Sequence, residues 1–227
     1  MGFIVKNTTF YGPLDWLCPH SCRGCGALGS VLCDCCKNYI LHEHFNYCPH
    51  CKREIPNHLC PDCALMPPVT MLGWKDSLIG DLVMEYKYHS LRALGIELAK
   101  MLDAVLPYFD GPVEIVPLPT ISKHIRERGF DHTFYLAKKL AKLRGWRVAR
   151  LLGRSRNSVQ VGAGSERRIA QAFSAYELVG GSAINPSVTY LLLDDVWTTG
   201  ASITAATRKL REAGALKISI AVIAVSR

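Results

Sequence analysis

The sequence predicts an α/β protein, a parallel sheet flanked by helices, preceded by a small cysteine-rich metal-binding domain. Three observations carry this expectation. Residues Tyr190 to Ser202, YLLLDDVWTTGAS, run from an apolar stretch into two adjacent carboxylates and then a turn of threonine, glycine and small residues. Residues Val113 to Thr120 give a second short strand followed by a loop stiffened by Pro117 and Pro119. All ten cysteines fall in the first third of the chain.

An apolar run bounded by polar turn residues suits a buried parallel strand. After Tyr190 to Leu193 and the acids Asp194 and Asp195, residues Ile203 to Glu212 have helical composition and stop before Gly214. The order strand, polar loop, helix puts the loop at the carboxyl end of a strand, where open α/β sheets bind ligands. Thr198, Thr199, Gly200, Ala201 and Ser202 offer backbone N–H groups and hydroxyls at a helix N-terminus, which attracts phosphate. Asp194 and Asp195 are acceptors suited to sugar hydroxyls or to a metal-bound ligand.

The cysteines form four CxxC pairs: Cys22/Cys25, Cys33/Cys36, Cys48/Cys51 and Cys60/Cys63. One such turn points two thiolates at an ion, and two turns complete a tetrahedral site. Four pairs predict two structural zinc ions, with sequential pairing the simplest arrangement and crossed pairing the alternative. An iron–sulfur cluster is the competing assignment. Cys18 and Cys35 are surplus, and either could replace one of these ligands; His20, His50 and His58 are candidate substitutes, with surface residues the favoured alternative. So short and polar a segment buries little core, so metal binding would supply its folding energy. Met66-Pro67-Pro68 opposes helix and marks the expected boundary, giving a ribbon domain over 1–68 and an α/β domain over 69–227.

From Asp76 to Leu106 the pattern is helical. Leu78, Ile79, Leu82 and Val83 form one apolar face, and Leu94, Leu98, Met101, Leu102 and Val105 a second. Two helices, or one broken helix, fit. Lys87, between Tyr86 and Tyr88, is either an anion contact or a solvated lysine. Beyond Thr120, Lys123 and Arg126-Glu127-Arg128-Gly129-Phe130-Asp131-His132 place cations next to the loop, with Asp131 the expected N-cap of the following helix. That helix, Phe134 to Leu143, turns Leu136, Leu140 and Leu143 inward and Lys138, Lys139 and Lys142 outward. Arg147 to Leu152 reads as a strand, and Gly153 to Ser165 as a Gly/Ser-rich basic loop able to cover a site. Another strand is expected from Ala172-Phe173, and a last buried one over Ile218 to Val225.

Lys and Arg number 27 against 19 Asp and Glu, a net charge of +8, which favours anionic partners. No apolar run approaches the ~18 residues of a membrane span, so no membrane insertion is expected. The N-terminus lacks a signal-peptide core, and the expected location is cytoplasmic.

The Tyr190 to Ser202 stretch resembles the phosphoribosyl-pyrophosphate (PRPP) binding motif of type I phosphoribosyltransferases. With the cysteine pairs and the RERGFDH segment, it resembles the ComF/ComFC-type phosphoribosyltransferase-like proteins of bacteria over nearly the whole chain from Cys18. Members usually show RGFN followed by Gln, where this chain has Asp131 and His132. The resemblance implies a type I phosphoribosyltransferase-like α/β domain behind a double zinc ribbon. It implies Mg²⁺ carried with PRPP, and Asp194 and Asp195 on the ribose hydroxyls. Thr198 to Ser202 would hold the 5′-phosphate, and Pro117, Leu118, Pro119, Thr120 and Arg128 the leaving pyrophosphate. It also implies a link to natural competence, with single-stranded DNA and competence proteins such as a DNA-uptake helicase as partners. Two functions are therefore expected in competition: a phosphoribosyltransferase, and a non-catalytic PRPP or nucleotide sensor or DNA-handling factor.

Overall fold

A computed structural model describes residues 20–42, 48–54, 60–89, 91–154, 176–181 and 183–226. Cys18, His58, and the expectations for 155–175 (most of the basic loop, Arg167-Arg168 and Ala172-Phe173) lie outside these residues.

Five parallel strands form the main sheet. They are β1 (Val69–Trp74), β2 (Val113–Pro117), β3 (Arg147–Val148), β6 (Thr189–Trp197) and β7 (Lys217–Val225), in the spatial order β1-β7-β6-β2-β3. Every neighbouring pair is parallel. Leu191 lies opposite Ile115 on one side and Ser219 on the other. Both central strands read as continuous apolar runs because the sheet is covered on both faces. β4 (Leu152–Arg154) and β5 (Tyr176–Leu178) form a separate antiparallel ribbon.

Residue alternation along β6 divides the core. Leu191 and Leu193 pack with α2 (Leu78–Tyr88), α3 (Arg92–Val105) and α5 (His132–Arg144). Tyr190 and Leu192 pack with α6 (Ala201–Glu212) and the β4-β5 ribbon. The helices that follow β2 and β6 thus lie on opposite faces although the two strands are neighbours. That is a topological switch point, and a crevice opens there at the strands' carboxyl ends. Leu118 N–H donates to the Leu193 carbonyl at 2.9 Å, tying the two loops together at its floor.

Several sequence expectations are redrawn. The Asp76 to Leu106 region is two helices, one of the two arrangements expected, with α2 ending at Tyr88 and α3 beginning at Arg92. β1 went unrecognised, because Val69 to Trp74 carries a glycine and follows two prolines, which disguises its apolar character. The basic segment after Thr120 is a short helix, α4 (Ser122–Arg128), closed by Gly129 at φ 75°. Asp131 caps α5 as expected, accepting from Phe134 N–H at 3.1 Å. Leu143 is 48 % exposed rather than inward, in the last turn of α5. The Arg147 to Leu152 strand is broken, β3 ending at Val148 and β4 beginning at Leu152 in the other sheet. Gly153, expected in a loop, is therefore a strand residue.

The cysteine-rich segment contributes α1 (Asp34–Leu41) and a 3₁₀ turn (Pro61–Cys63). Cys22, Val31, Leu32, Cys36 and Ile40 join the same apolar cluster as α2 and α3. Glu97, fully buried on α3, receives Lys37 of α1 at 2.5 Å and Lys100 at 2.7 Å. Among the described residues no helix is long and apolar enough to cross a membrane.

Candidate functional site

β6 carries the acid pair further than the sequence suggests. The strand continues through Asp194 and Asp195 to Trp197, so the acids belong to its last turns and not to the loop. Successive strand residues face opposite sides. Asp195 therefore points toward α2 and α5, and Asp194 toward the β4-β5 ribbon and α6.

Asp195 is buried and doubly held. Lys87 Nζ, from the end of α2, lies 2.8 Å from Oδ2, and His132 Nε2, from the start of α5, contacts the same oxygen. His132 is placed in turn by Arg128, whose Nη1 lies 3.1 Å from Nδ1, and by Tyr86, whose hydroxyl donates to the His132 carbonyl at 2.6 Å. A guanidinium has only protons to offer, so Nδ1 accepts and Nε2–H faces the carboxylate. Burial pushes the Asp195 carboxyl up, but the His132 hydrogen bond and the Lys87 charge outweigh it and hold the group down at about 2. Asp194 is the opposite case. Burial, and then the adjacent Asp195 charge, push it up to about 8. The pair is split into one carboxylate and one group that keeps its proton.

Both acids line a cleft of about 150 Å³. Leu118, Pro119 and Thr120 form its wall after β2, Arg128, His124 and His132 the side toward α4 and α5, and Arg154, Tyr176 and Ser202 the side toward the ribbon and α6. Thr120 Oγ1 donates to Asp131 at 3.1 Å, fixing this loop to the α5 cap. Arg154 Nε donates to the Pro119 carbonyl at 3.1 Å, fixing it to the ribbon. Pro117 lies on the far side of the loop, lining a neighbouring cavity of about 180 Å³ with Phe134 and Arg150. Thr198 and Thr199 are exposed on the loop beyond β6. Gly200 is buried at φ 78° and caps α6, and the Ala201 N–H of the first turn donates to Thr199 Oγ1 at 3.4 Å. Apart from Ser202, the Thr198 to Ser202 residues stand on the loop and do not line the cleft.

Sequence reasoning named Lys87 and His132 without assigning them this role. The signal for Lys87 was its position at a helix end flanked by tyrosines. Arg154 belonged to the basic segment expected to cover a site, whereas Tyr176 and His124 had no such signal, because long-range packing brings them in.

The metal sites pair sequentially. Cys22, Cys25, Cys33 and Cys36 form one set, and Cys48, Cys51, Cys60 and Cys63 the other, with the sulfurs of each within 4.8 Å of one another. Cys25 and Cys33 Sγ lie 3.6 Å apart, as do Cys51 and Cys60, close to the ~3.8 Å of a tetrahedral zinc–thiolate site and far from a disulfide. Burial raises Cys22, yet N–H groups of Cys33, Cys25 and Gly24 bring it down to about 6, whereas burial and its neighbours push Cys36 well up. In the second set the Arg53 N–H leads in holding Cys51 near 7, while burial leads in pushing Cys63 to about 12. Four sulfurs so close resist ionising together until a cation arrives, so the donor set fits zinc. Cys35 is exposed and outside both sets. The His50 ring faces Trp197 and is not needed as a ligand.

No protein-family model matches the chain. The chain is 24 % identical over 224 residues to competence protein F of Haemophilus influenzae, covering 91 % of this chain and 95 % of that protein. The alignment spans both cysteine sets and the acid pair in one continuous relationship. The chain is similar to this competence protein over nearly its whole length. Similar solved structures include the glutamine PRPP amidotransferase of B. subtilis, at 18 % identity and TM-score 0.43, covering 62 % of this chain and 30 % of that one. A hypoxanthine phosphoribosyltransferase of Staphylococcus aureus matches at 14 % and TM-score 0.33, covering 62 % and 69 %. The chain itself sets two Cys₄ groups in front of a five-stranded parallel sheet.

Proposed function

We propose that this chain binds PRPP with Mg²⁺ and transfers its ribosyl group. One observation carries the reading: Asp194 and Asp195, near the carboxyl end of β6 at the switch point, share a cleft with Thr120 and Arg128. In this reading Asp194 accepts from a ribose hydroxyl, Asp195 presents its free oxygen to the other, and the amides of 201–203 with Ser202 hold the 5′-phosphate. Pro117 to Thr120 and Arg128 receive the pyrophosphate. The C1–O bond to pyrophosphate breaks as an acceptor nucleophile attacks C1, and the electron pair leaves with pyrophosphate. The Asp195 carboxylate favours the positive charge that develops on the ring. Mg²⁺, held by the substrate's pyrophosphate and ribose oxygens, supplies charge neutralisation on the leaving group. The cysteine sets would each hold a structural zinc.

The test is the affinity for Mg·PRPP of wild type against an Asp194→Ala/Asp195→Ala double variant. A large loss is expected, and equal affinity overturns the assignment. Incubation with labelled PRPP and pooled cell extract then asks for acceptor-dependent pyrophosphate release.

A second reading, a non-catalytic PRPP or nucleotide sensor or a single-stranded-DNA-handling factor in competence and DNA uptake, is favoured by the double engagement of Asp195. Its Oδ2 is taken by Lys87 and His132 before any ligand arrives. Salt-dependent single-stranded DNA binding that survives loss of both acids would support it.

A further inference from the structure

Trp197 closes β6 and opens the loop that ends in Gly200. Its indole is 4 % exposed. On one side it lies against the Gly200 backbone: a Cβ there would sit 2.6 Å from Trp197 Nε1. On the other side it meets the edge of the His50 ring, with centroids 5.1 Å apart and planes at 82°. His50 stands between Cys48 and Cys51, and its Nε2 bonds with the Pro67 carbonyl at 2.9 Å. The same knuckle sends Lys52 Nζ to the Ser226 carbonyl at 2.5 Å, and Ser226 N–H donates to the Trp197 carbonyl at 2.7 Å. Two routes thus run from the second cysteine set to the loop, one through rings and one through the main chain. A cleft of about 420 Å³ lined by Met66, Ile203 and Thr207 opens beside the two rings. With space on that flank, the His50 ring covers one side of the indole.

We propose that His50 is a positioning residue for the phosphate loop. It holds Trp197 against Gly200, so that the metal state of the Cys48–Cys63 set and anion binding at 198–202 are coupled. The inference rests on the reading of that loop as the 5′-phosphate site. Coupling of this kind is reciprocal: a loop held by phosphate holds the knuckle, and a loaded knuckle holds the loop.

The experiment uses the full-length zinc-loaded protein. Mg·PRPP affinity is measured by calorimetry, and zinc transfer to a chromogenic chelator is timed with and without Mg·PRPP. In wild type, PRPP is expected to slow the release of one of two zinc equivalents about five- to ten-fold. His50→Ala should still load two zinc equivalents, bind PRPP about five- to ten-fold more weakly and lose the protection. His50→Phe, which restores a ring, should recover most of both. Trp197→Phe leaves the knuckle intact and should show the same uncoupling, which keeps the test open if His50→Ala fails to load. Wild type that binds PRPP with unchanged zinc release, or variants that match it in affinity and protection, overturns the coupling alone. Wild type that does not bind PRPP overturns the phosphate-loop reading and the coupling with it.

Discussion

Lys87 Nζ sits 2.8 Å from Asp195 Oδ2, joining the end of α2 to the end of β6 through a largely buried ion pair. The two side chains are 15 % and 9 % exposed, so water replaces neither partner well. Lys87→Met is expected to cost about 1–3 kcal/mol, the penalty for stripping a partner from a buried charged group, with His132 limiting the loss. Asp195 is held low, so its contribution is present above the ordinary value of 3.8 and is lost as pH falls toward about 2. Without Lys87 the carboxyl rises and that loss begins at higher pH. Urea unfolding of both proteins at pH 7 and pH 4 checks this; superimposable curves would mean the pair contributes nothing.

Asp194 predicts the reverse slope. Its folded value lies above its unfolded one, because burial and the Asp195 charge oppose ionisation. The native state therefore binds the extra proton between the ordinary carboxylate range and about pH 8. Stability from this group is complete below about 3.8 and falls as pH rises through that window. Asp194→Asn, which cannot ionise, should lose less stability than wild type between pH 5 and pH 8.5. Thermal unfolding across that range measures the difference, and parallel profiles would show that Asp194 ionises freely.

The acids themselves were legible because their spacing is local: an apolar strand, two carboxylates and a small-residue turn are contiguous. The CxxC pairs were legible for the same reason, and sequential pairing followed from proximity along the chain. What remained hidden depends on packing between distant segments. Nothing near Lys87 announces that α2 ends against β6, and nothing near Tyr176 or Arg154 places their short ribbon beside Ser202. The sequence reading also treated the acids as equivalent neighbours. Strand alternation puts them on opposite faces, and different partners then give them opposite protonation.

Gly200 is required twice over. Its φ of 78° lies in the left-handed region, and an added Cβ would collide with the Trp197 indole at 2.6 Å. Gly200→Ala should cost about 1–2 kcal/mol from the backbone alone, with the collision adding to it. The loop would have to shift, so Mg·PRPP affinity should fall more than that of an exposed control such as Thr204→Ala. Calorimetric binding together with a melting curve separates the two effects. A variant with wild-type affinity would place the phosphate elsewhere.

The first cysteine set shares its interior with the α/β sheet domain. Cys22, Cys36, Leu32 and Ile40 lie in the cluster that contains Leu82, Leu94 and Leu98. Lys37 reaches Glu97, whose side chain is fully buried. Burial pushes the Glu97 carboxyl up, but hydrogen bonds from Lys100 and Lys37 outweigh it and hold the group low. Removing metal would release α1 from its knuckles and expose this face. Chelation is therefore expected to lower the melting temperature of the whole chain, where independent domains would leave the sheet transition in place. Lys37→Met tests the contact without touching a thiol. It should cost about 1–3 kcal/mol, with Lys100 still present, or about 2–4 °C for each kcal/mol in a chain of this size. Differential scanning calorimetry of the zinc-loaded, chelated and Lys37→Met proteins decides the point. A second transition unmoved by chelation would show that the sheet stands without its cysteine-rich neighbour.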